Sequence, residues 1–361
     1  MDQSIGRAAQ ESPAIELTDE EKEILTYLGS SKRIDLRWLS EEQKLEIKTV
    51  LDRLHNEKRM SLLRISKEVG RSYTAIWGLC RALEIHTRTV AEADRESAVA
   101  RSKHKRTPFA GTEDDRCYML GFKNGDLTAW QVSGTSVMVT STTTHSAFAK
   151  LFRELFQAYG HVYEYPMFEE GNGYKWKVAT RLDNSFRFLI NTSEASLEIV
   201  SKDRSTLLAW LAGIIDSDGH IRVGQNNNQA RATLSVYSVN RSFLTSLRQA
   251  TEKIGYHFDG PYLTARRGDT TPKGITYKQD FWNIALQRTA ESQALLQELP
   301  LRHSEKLMRR ELALSVDSST RWNDVEPEIL KLRGEIHAQV AAFVRRAEVS
   351  YLLKHKKKLV D

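Results

Sequence analysis

The chain has 361 residues, 40% hydrophobic and 28% charged, with a formal net charge of +6 and a pI near 9.1. That length accommodates two or three domains, no apolar run approaches the roughly 18 residues of a membrane span, and the opening MDQSIGRAAQESPAIE lacks the apolar core of a signal peptide. Two cysteines, Cys80 and Cys117, exclude a disulfide framework or a multi-cysteine zinc site and fit a reducing compartment, cytoplasmic or organellar, rather than secretion.

Residues 1–16 read as a disordered leader. Thr18-Asp19-Glu20-Glu21 is a capping box that opens a helix to about Tyr27, and Ser40-Glu41-Glu42-Gln43 opens a second to about Asn56. Between Met60 and Glu84, Leu62, Ile65 and Val69 form one helical face; Ile76, Leu79, Cys80 and Leu83 form another. Gly70 separates the two, and Ser72 caps the second. The pattern of residues 60–84 is that of a helix-turn-helix, which would turn Arg71 and Tyr73 towards DNA; an ordinary helical hairpin gives the same pattern. Residues 1–95 therefore form an all-α N-terminal domain. The stretch 96–113 is rich in Arg, Lys and His without periodicity and reads as a basic linker.

Tyr118-Met119-Leu120-Gly121-Phe122-Lys123-Asn124-Gly125-Asp126 then introduces a motif that returns at Trp210-Leu211-Ala212-Gly213-Ile214-Ile215-Asp216-Ser217-Asp218. Gly121 matches Gly213, Gly125 matches Ser217, and Asp126 matches Asp218, 92 residues on. Glycine inside a helix costs about 1 kcal/mol relative to alanine, a cost that makes sense where another backbone comes close. A carboxylate at a helix C-terminus faces the negative end of the macrodipole, and a bound cation removes that penalty.

The elements after each motif repeat as well. In the first copy, a strand or hairpin spans 132–143 around Gly134, a helix runs from Ser146 to Tyr159, and strands follow at 161–166, 174–182 and 186–191. In the second, strands at 220–224 and 230–238, a helix at 241–255, strands at 261–267 and 275–288, a helix at 290–298 and another from His303 to Leu314 recur in the same order. A last helix, about 326–353, ends in a lysine-rich tail. The domain plan is a first half at 114–204, a second at 205–318 and a C-terminal helix at 319–361.

This paired motif resembles the LAGLIDADG homing endonuclease family, over roughly residues 113–318. The resemblance implies an α+β fold: two tandem αββαββα domains with pseudo-twofold symmetry, the motif helices packed through Gly121, Gly125, Gly213 and Ser217. It also implies that Asp126 and Asp218 are the metal ligands of a Mg²⁺-dependent DNA endonuclease, with Mn²⁺ or Ca²⁺ able to occupy the site. Such a protein, encoded by a mobile intron, acts as a monomer and cuts both strands of double-stranded DNA with a stagger across the minor groove. Asp216, whose counterpart is Asn124, has a structural role.

Relatives usually carry a basic or polar residue beside each metal. Here the strands after the motifs read Val139-Thr140-Ser141-Thr142 and Val236-Tyr237-Ser238-Val239, so Lys202 and Lys306, each near a helix start, are the candidates to compensate. On the 174–181 strand, Lys175, Lys177 and Arg181 alternate with Tyr174, Trp176 and Val178, a half-buried antiparallel pattern with one polar face free for the major groove. Gln225, Asn227, Gln229 and Arg231 around a hairpin, with Arg266 and Lys278, extend that surface. The halves differ at most of these positions, so the site they read is long and asymmetric. Two other functions use the same scaffold: a non-cleaving DNA-binding transcription regulator, which the helix-turn-helix and the missing strand-end lysines favour, and an RNA maturase.

Overall fold

The computed structural model describes residues 16–30, 36–89, 92, 103–190, 193–201, 203–271, 274 and 276–356. The chain divides into two compact units, Met1–Ser102 and Lys103–Asp361.

The first unit is helical. Its helices are α1 (Asp19–Ser30), α2 (Glu41–Asp52, continued by a π turn to Glu57), α3 (Leu62–Val69) and α4 (Tyr73–Ala82). The caps are those the sequence calls for: Ser40 and Gln43 close a capping box, Ser61 accepts from the Arg64 amide, and Ser72 accepts from the Ala75 amide. Gly70 ends α3 at φ 71°, a left-handed conformation that favours glycine. Leu28, Val50, Leu51, Leu54, Ile65 and Ile76 are fully buried between these helices.

The second unit holds the repeat. Its first half runs α5 (Glu113–Asp126), β1 (Thr128–Ser133), β2 (Ser136–Thr143), α6 (Ser146–Phe156), β3 (Val162–Glu169), β4 (Gly173–Asp183) and α7 (Ser193–Val200). Its second half runs α8 (Arg204–Ser217), β5 (His220–Asn226), β6 (Gln229–Ser238), α9 (Arg241–Glu252), β7 (Asp259–Ala265), β8 (Phe281–Leu286) and α10 (Thr289–Glu298). Both sheets are antiparallel, in the orders β1-β2-β4-β3 and β5-β6-β8-β7. Two elements follow: α11 (Ser304–Leu314) and the 35-residue α12 (Trp322–Lys356), which packs on β3, β4 and α6 as well as on β5, β6 and α11.

One core serves both halves. Tyr118 and Phe122 of α5, Phe152 and Phe156 of α6, and Trp210, Leu211 and Ile215 of α8 are all 0% exposed. Each such side chain contributes roughly 1.5–3 kcal/mol relative to exposure.

Four expectations change. The strand expected at 186–191 is a 3₁₀ segment, Asn184–Ile190. Phe186 and Phe188 imitate a two-residue period, but the fully buried pair is Phe186 and Leu189, three apart, which is the 3₁₀ repeat. The strand expected over 275–288 is confined to Phe281–Leu286, and the first hairpin begins at Thr128 rather than Val132. The basic linker expected at 96–113 is not a free tether in its described part. Thr107 bonds the carbonyls of Tyr159 and Ala158, and Phe109 packs against Tyr159, Phe186 and Phe188. The lysines there obscure that single apolar anchor. Residues 1–15, 96–102 and 357–361, with the expected leader, the rest of the linker and the tail end, lie outside the described residues.

Candidate functional site

The two motif helices meet backbone to backbone. A Cβ on Gly121 would run into the carbonyl oxygen of Trp210 and stand 3.1 Å from the amide of Ile214. A Cβ on Gly213 would run into the carbonyl oxygen of Tyr118 and stand 2.5 Å from the amide of Phe122. Tyr118 and Phe122 occupy the same motif positions as Trp210 and Ile214, so each contact is the other's mirror under exchange of the halves. Gly125 meets its own equivalent, Ser217, which places that pair at the pseudo-twofold axis. At the opposite end of the helices Ser205 Oγ donates to Asp114 at 2.8 Å, so α5 and α8 run parallel and finish together.

Asp126 is the last residue of α5 and Asp218 the C-cap of α8. Both side chains reach solvent, yet both stand among enough protein to hinder ionisation. Burial and then the charge of Asp218 push Asp126 up to about 7, against the opposing pull of Lys306 and His145. Burial raises Asp218 too, again opposed by Lys306. Lys306, near the start of α11, donates to the carbonyl of Gly219 and lies in the field of Asp216 and Asp218; its own pKa is lowered by burial.

His145 belongs to this group, and sequence reasoning missed it. It is the N-cap residue of α6, and its Nδ1 lies 2.9 Å and 3.0 Å from the two carboxylate oxygens of buried Glu305. Burial works to raise Glu305, but the contact with His145, helped by the charges of His303 and Lys306, outweighs it and holds the carboxyl below its usual value. No spacing in the sequence signals a pair 160 residues apart.

Asp216 is buried beneath the pair. It accepts from Tyr118 Oη at 2.5 Å and from the backbone amides of Arg302 and His303 at 2.6 and 3.1 Å. Arg302 stacks on Tyr118 and pairs with Asp115 at 2.7 Å, so the segment before α11 latches α5 to α8. The equivalent Asn124 has no such latch: both its carboxamide atoms are inaccessible and unpartnered among the described residues. It lines, with Gly125, Asp218, Tyr237 and Phe281, a cavity of about 470 Å³.

The other candidates sit on the sheets, their loops and the helical unit. Lys175, Lys177 and Arg181 share one face of β4; Lys175 pairs with Glu169, and Arg181 donates to Ser136 Oγ at 2.9 Å. Gln225, Asn227, Gln229 and Arg231 surround the β5–β6 turn, where Asn227 and Asn228 have φ of 49° and 66°. Arg231 donates to the carbonyl of Gln287. Arg266, whose amide bonds Asp269, and Lys278 sit in the loop between β7 and β8. In the helical unit Tyr73 is exposed, whereas Arg71 donates to the carbonyl of Leu28 at 2.5 Å and so braces α1. Lys202 lies outside the described residues.

Residues 205–280 match a known family model. That model describes a LAGLIDADG-like domain. Solved structures with weak similarity include the homing endonuclease I-DmoI (14% identity over 52% of this chain and 95% of its own, TM-score 0.36). They also include the N-terminal LAGLIDADG domain of DUF199/WhiA (14% identity, 61% and 97%, TM-score 0.35) and a variant of I-SmaMI (11% identity, 63% and 98%, TM-score 0.32). I-DmoI has been crystallised with DNA and Mn, and with DNA and Ca. No curated protein matches the chain. Among the described residues no helix is long and apolar enough to cross a membrane. Nor do three or more His, Cys, Asp or Glu side chains there gather to hold a metal by themselves. The carboxylate pair nonetheless suits a divalent cation. Magnesium favours one or two carboxylates plus substrate phosphate oxygens and water over an all-protein cage, and two acids that repel each other gain most from an added positive charge.

Proposed function

We propose that the chain is a site-specific, divalent-metal-dependent endonuclease that cuts both strands of a long, asymmetric double-stranded DNA site as a monomer. The observation that carries this reading is the reciprocal glycine seam, which brings one carboxylate from each repeat to a common end and leaves the two repelling each other. A bound Mg²⁺, for which Mn²⁺ or Ca²⁺ could substitute in binding, supplies positive charge to the scissile phosphate, a more acidic water and relief for the leaving oxygen. Asp126 and Asp218 would hold it. Lys306 lends positive charge to both carboxylates from behind. Glu305 fixes the His145 ring through Nδ1, leaving Nε2 as the nitrogen available to move a proton. The polar sheet faces would read the two half-sites, and the helical unit, with its helix-turn-helix-like pair α3–α4, would add affinity.

One observation favours a non-cleaving DNA-binding regulator: β2 and β6 end in Thr142-Thr143 and Tyr237-Ser238, with no basic side chain at either strand end. A single assay separates the two readings. The protein is incubated with a plasmid library of candidate insertion sites in Mg²⁺ or in Ca²⁺. Cutting in Mg²⁺ alone, abolished by Asp126→Asn or by Asp218→Asn while binding persists, is the expected result. Binding without cutting in either cation selects the regulator. Absence of duplex binding sinks both.

A further inference from the structure

A cluster of positive charge lies along β5, the edge strand of the second sheet. There a cavity of about 460 Å³ opens between β5, α11 and α12. Five basic side chains line it: His220 and Arg222 from β5, Arg309 from α11, and Arg333 and His337 from α12. The remaining lining is aliphatic, and no carboxylate takes part.

Clusters of this kind ordinarily carry counter-charges, because like charges held together in a partly desolvated place repel strongly. Here, among the described residues, none of the five makes a hydrogen bond or an ion pair. Arg309 is half-buried, and burial together with Arg333 pulls its guanidinium below the ordinary value. The acid in its field, Glu305, is already engaged by His145. Three guanidiniums with unused planar donors, over an aliphatic floor, match the tetrahedral, multiply charged oxygens of phosphate better than a carboxylate or a neutral ligand.

We propose that this pocket is a phosphate-binding site, occupied either by a free polyphosphate or by a backbone phosphate of nucleic acid. It does not depend on the nuclease reading, since either source would fill it in a protein that never cuts. Its unusual part is α12: two of the five groups come from a helix beyond the duplicated halves.

The test compares the full-length protein with the Arg309→Gln/Arg333→Gln double variant. Inorganic pyrophosphate and ATP are titrated calorimetrically without divalent cation, and a short random-sequence duplex is titrated by fluorescence anisotropy over a range of salt. We expect at least one probe to bind the wild type and to lose about tenfold or more in affinity in the variant, as removal of charge-assisted hydrogen bonds does. A loss with pyrophosphate or ATP identifies a free ligand. A loss confined to the duplex, with the salt slope reduced by about two, identifies backbone phosphates. If the wild type binds none of the three, or if the substitutions leave every affinity unchanged, the proposal is overturned. Folding is controlled by the melting temperature, which should stay level or rise once two unpaired, mutually repelling charges are gone. Arg333→Gln alone, at an exposed position, must show the same loss in smaller measure.

Discussion

The two halves of the second unit share strand order, motif spacing and a reciprocal contact, yet they treat equivalent positions differently. Asp216 has three donors and a latch of Arg302 and Tyr118 around it, whereas the carboxamide of Asn124, its equivalent, has no partner among the described residues. His145, at the start of α6 in the first half, contacts Glu305 of α11, while its equivalent in the second half is Asn240, which caps α9 through its own side chain. The free edge of the second sheet carries a basic pocket; that of the first exposes Trp130. Positions where backbone meets backbone tolerate no divergence, because no side chain can absorb a change there. Positions one layer out are free to specialise once a duplicated chain need not serve both sites alike.

The largest effect should come from the pair itself. If the halves contribute equally to cutting, Asp126→Asn and Asp218→Asn each lower the cleavage rate by on the order of 10³ on both strands, measured by strand-resolved nicking at saturating Mg²⁺. A variant that still cuts one strand at the wild-type rate would break that equivalence. Next come the glycines. Gly121→Ala and Gly213→Ala should each cost about 3 kcal/mol or more in urea denaturation, since the added methyl meets backbone. Gly125→Ala meets the Ser217 side chain instead, so Ser217→Gly in the same molecule should recover most of its loss.

A sharper asymmetry is expected at the helix caps. His145→Ala should slow cutting about tenfold, while Asn240→Ala should leave the rate alone and lower only stability, by the roughly 1 kcal/mol of a lost N-cap. Equal effects on rate would remove His145 from the centre. The smallest effect is on stability against pH. Asp126 has a folded-state value of about 7, above that of an unfolded aspartate, so its contribution is complete below about pH 4 and is lost as the pH rises through about 7. Without divalent cation, Asp126→Asn should therefore raise the melting temperature at pH 8 by about 2–4 °C and leave it unchanged at pH 4. Addition of Mg²⁺ should erase the difference by stabilising the wild type.

Much of this arrangement was legible from residue order alone. Gly121 and Gly213 stand out because a helix interior penalises glycine, and Asp126 and Asp218 because a helix C-terminus penalises acids; the first penalty pointed to a backbone close by, the second to a bound cation. The alternation of Lys175, Lys177 and Arg181 with Tyr174, Trp176 and Val178 marked β4 and its free face. The illegible parts depend on distant partners. His145 gains its place only through Glu305, Arg309 becomes a pocket wall only where α12 crosses α11, and Phe109 turns a basic stretch into part of the first half by one buried ring. The 3₁₀ segment was hidden because Phe186, Phe188 and Ile190 alternate like a strand while Phe186 and Leu189 do the packing.

The last helix bears on how a duplex could be gripped. At its start, Trp322 bonds the carbonyl of Asn228 at the tip of the β5–β6 hairpin, and Ala230 bonds the carbonyl of Thr320. Towards its end, the carbonyl of Phe343 accepts from the Trp176 indole, and Tyr351 rests on Phe168 and Tyr174 of the β3–β4 hairpin. A continuous rod of 35 residues, about 50 Å long, thus ties an outer tip of one sheet to an outer tip of the other. A strap of this kind holds the two tips at a fixed spacing. If the chain grips a duplex as proposed, curvature mismatched to that spacing would have to come from the nucleic acid, so sequences that bend cheaply should be favoured even at base pairs no side chain touches.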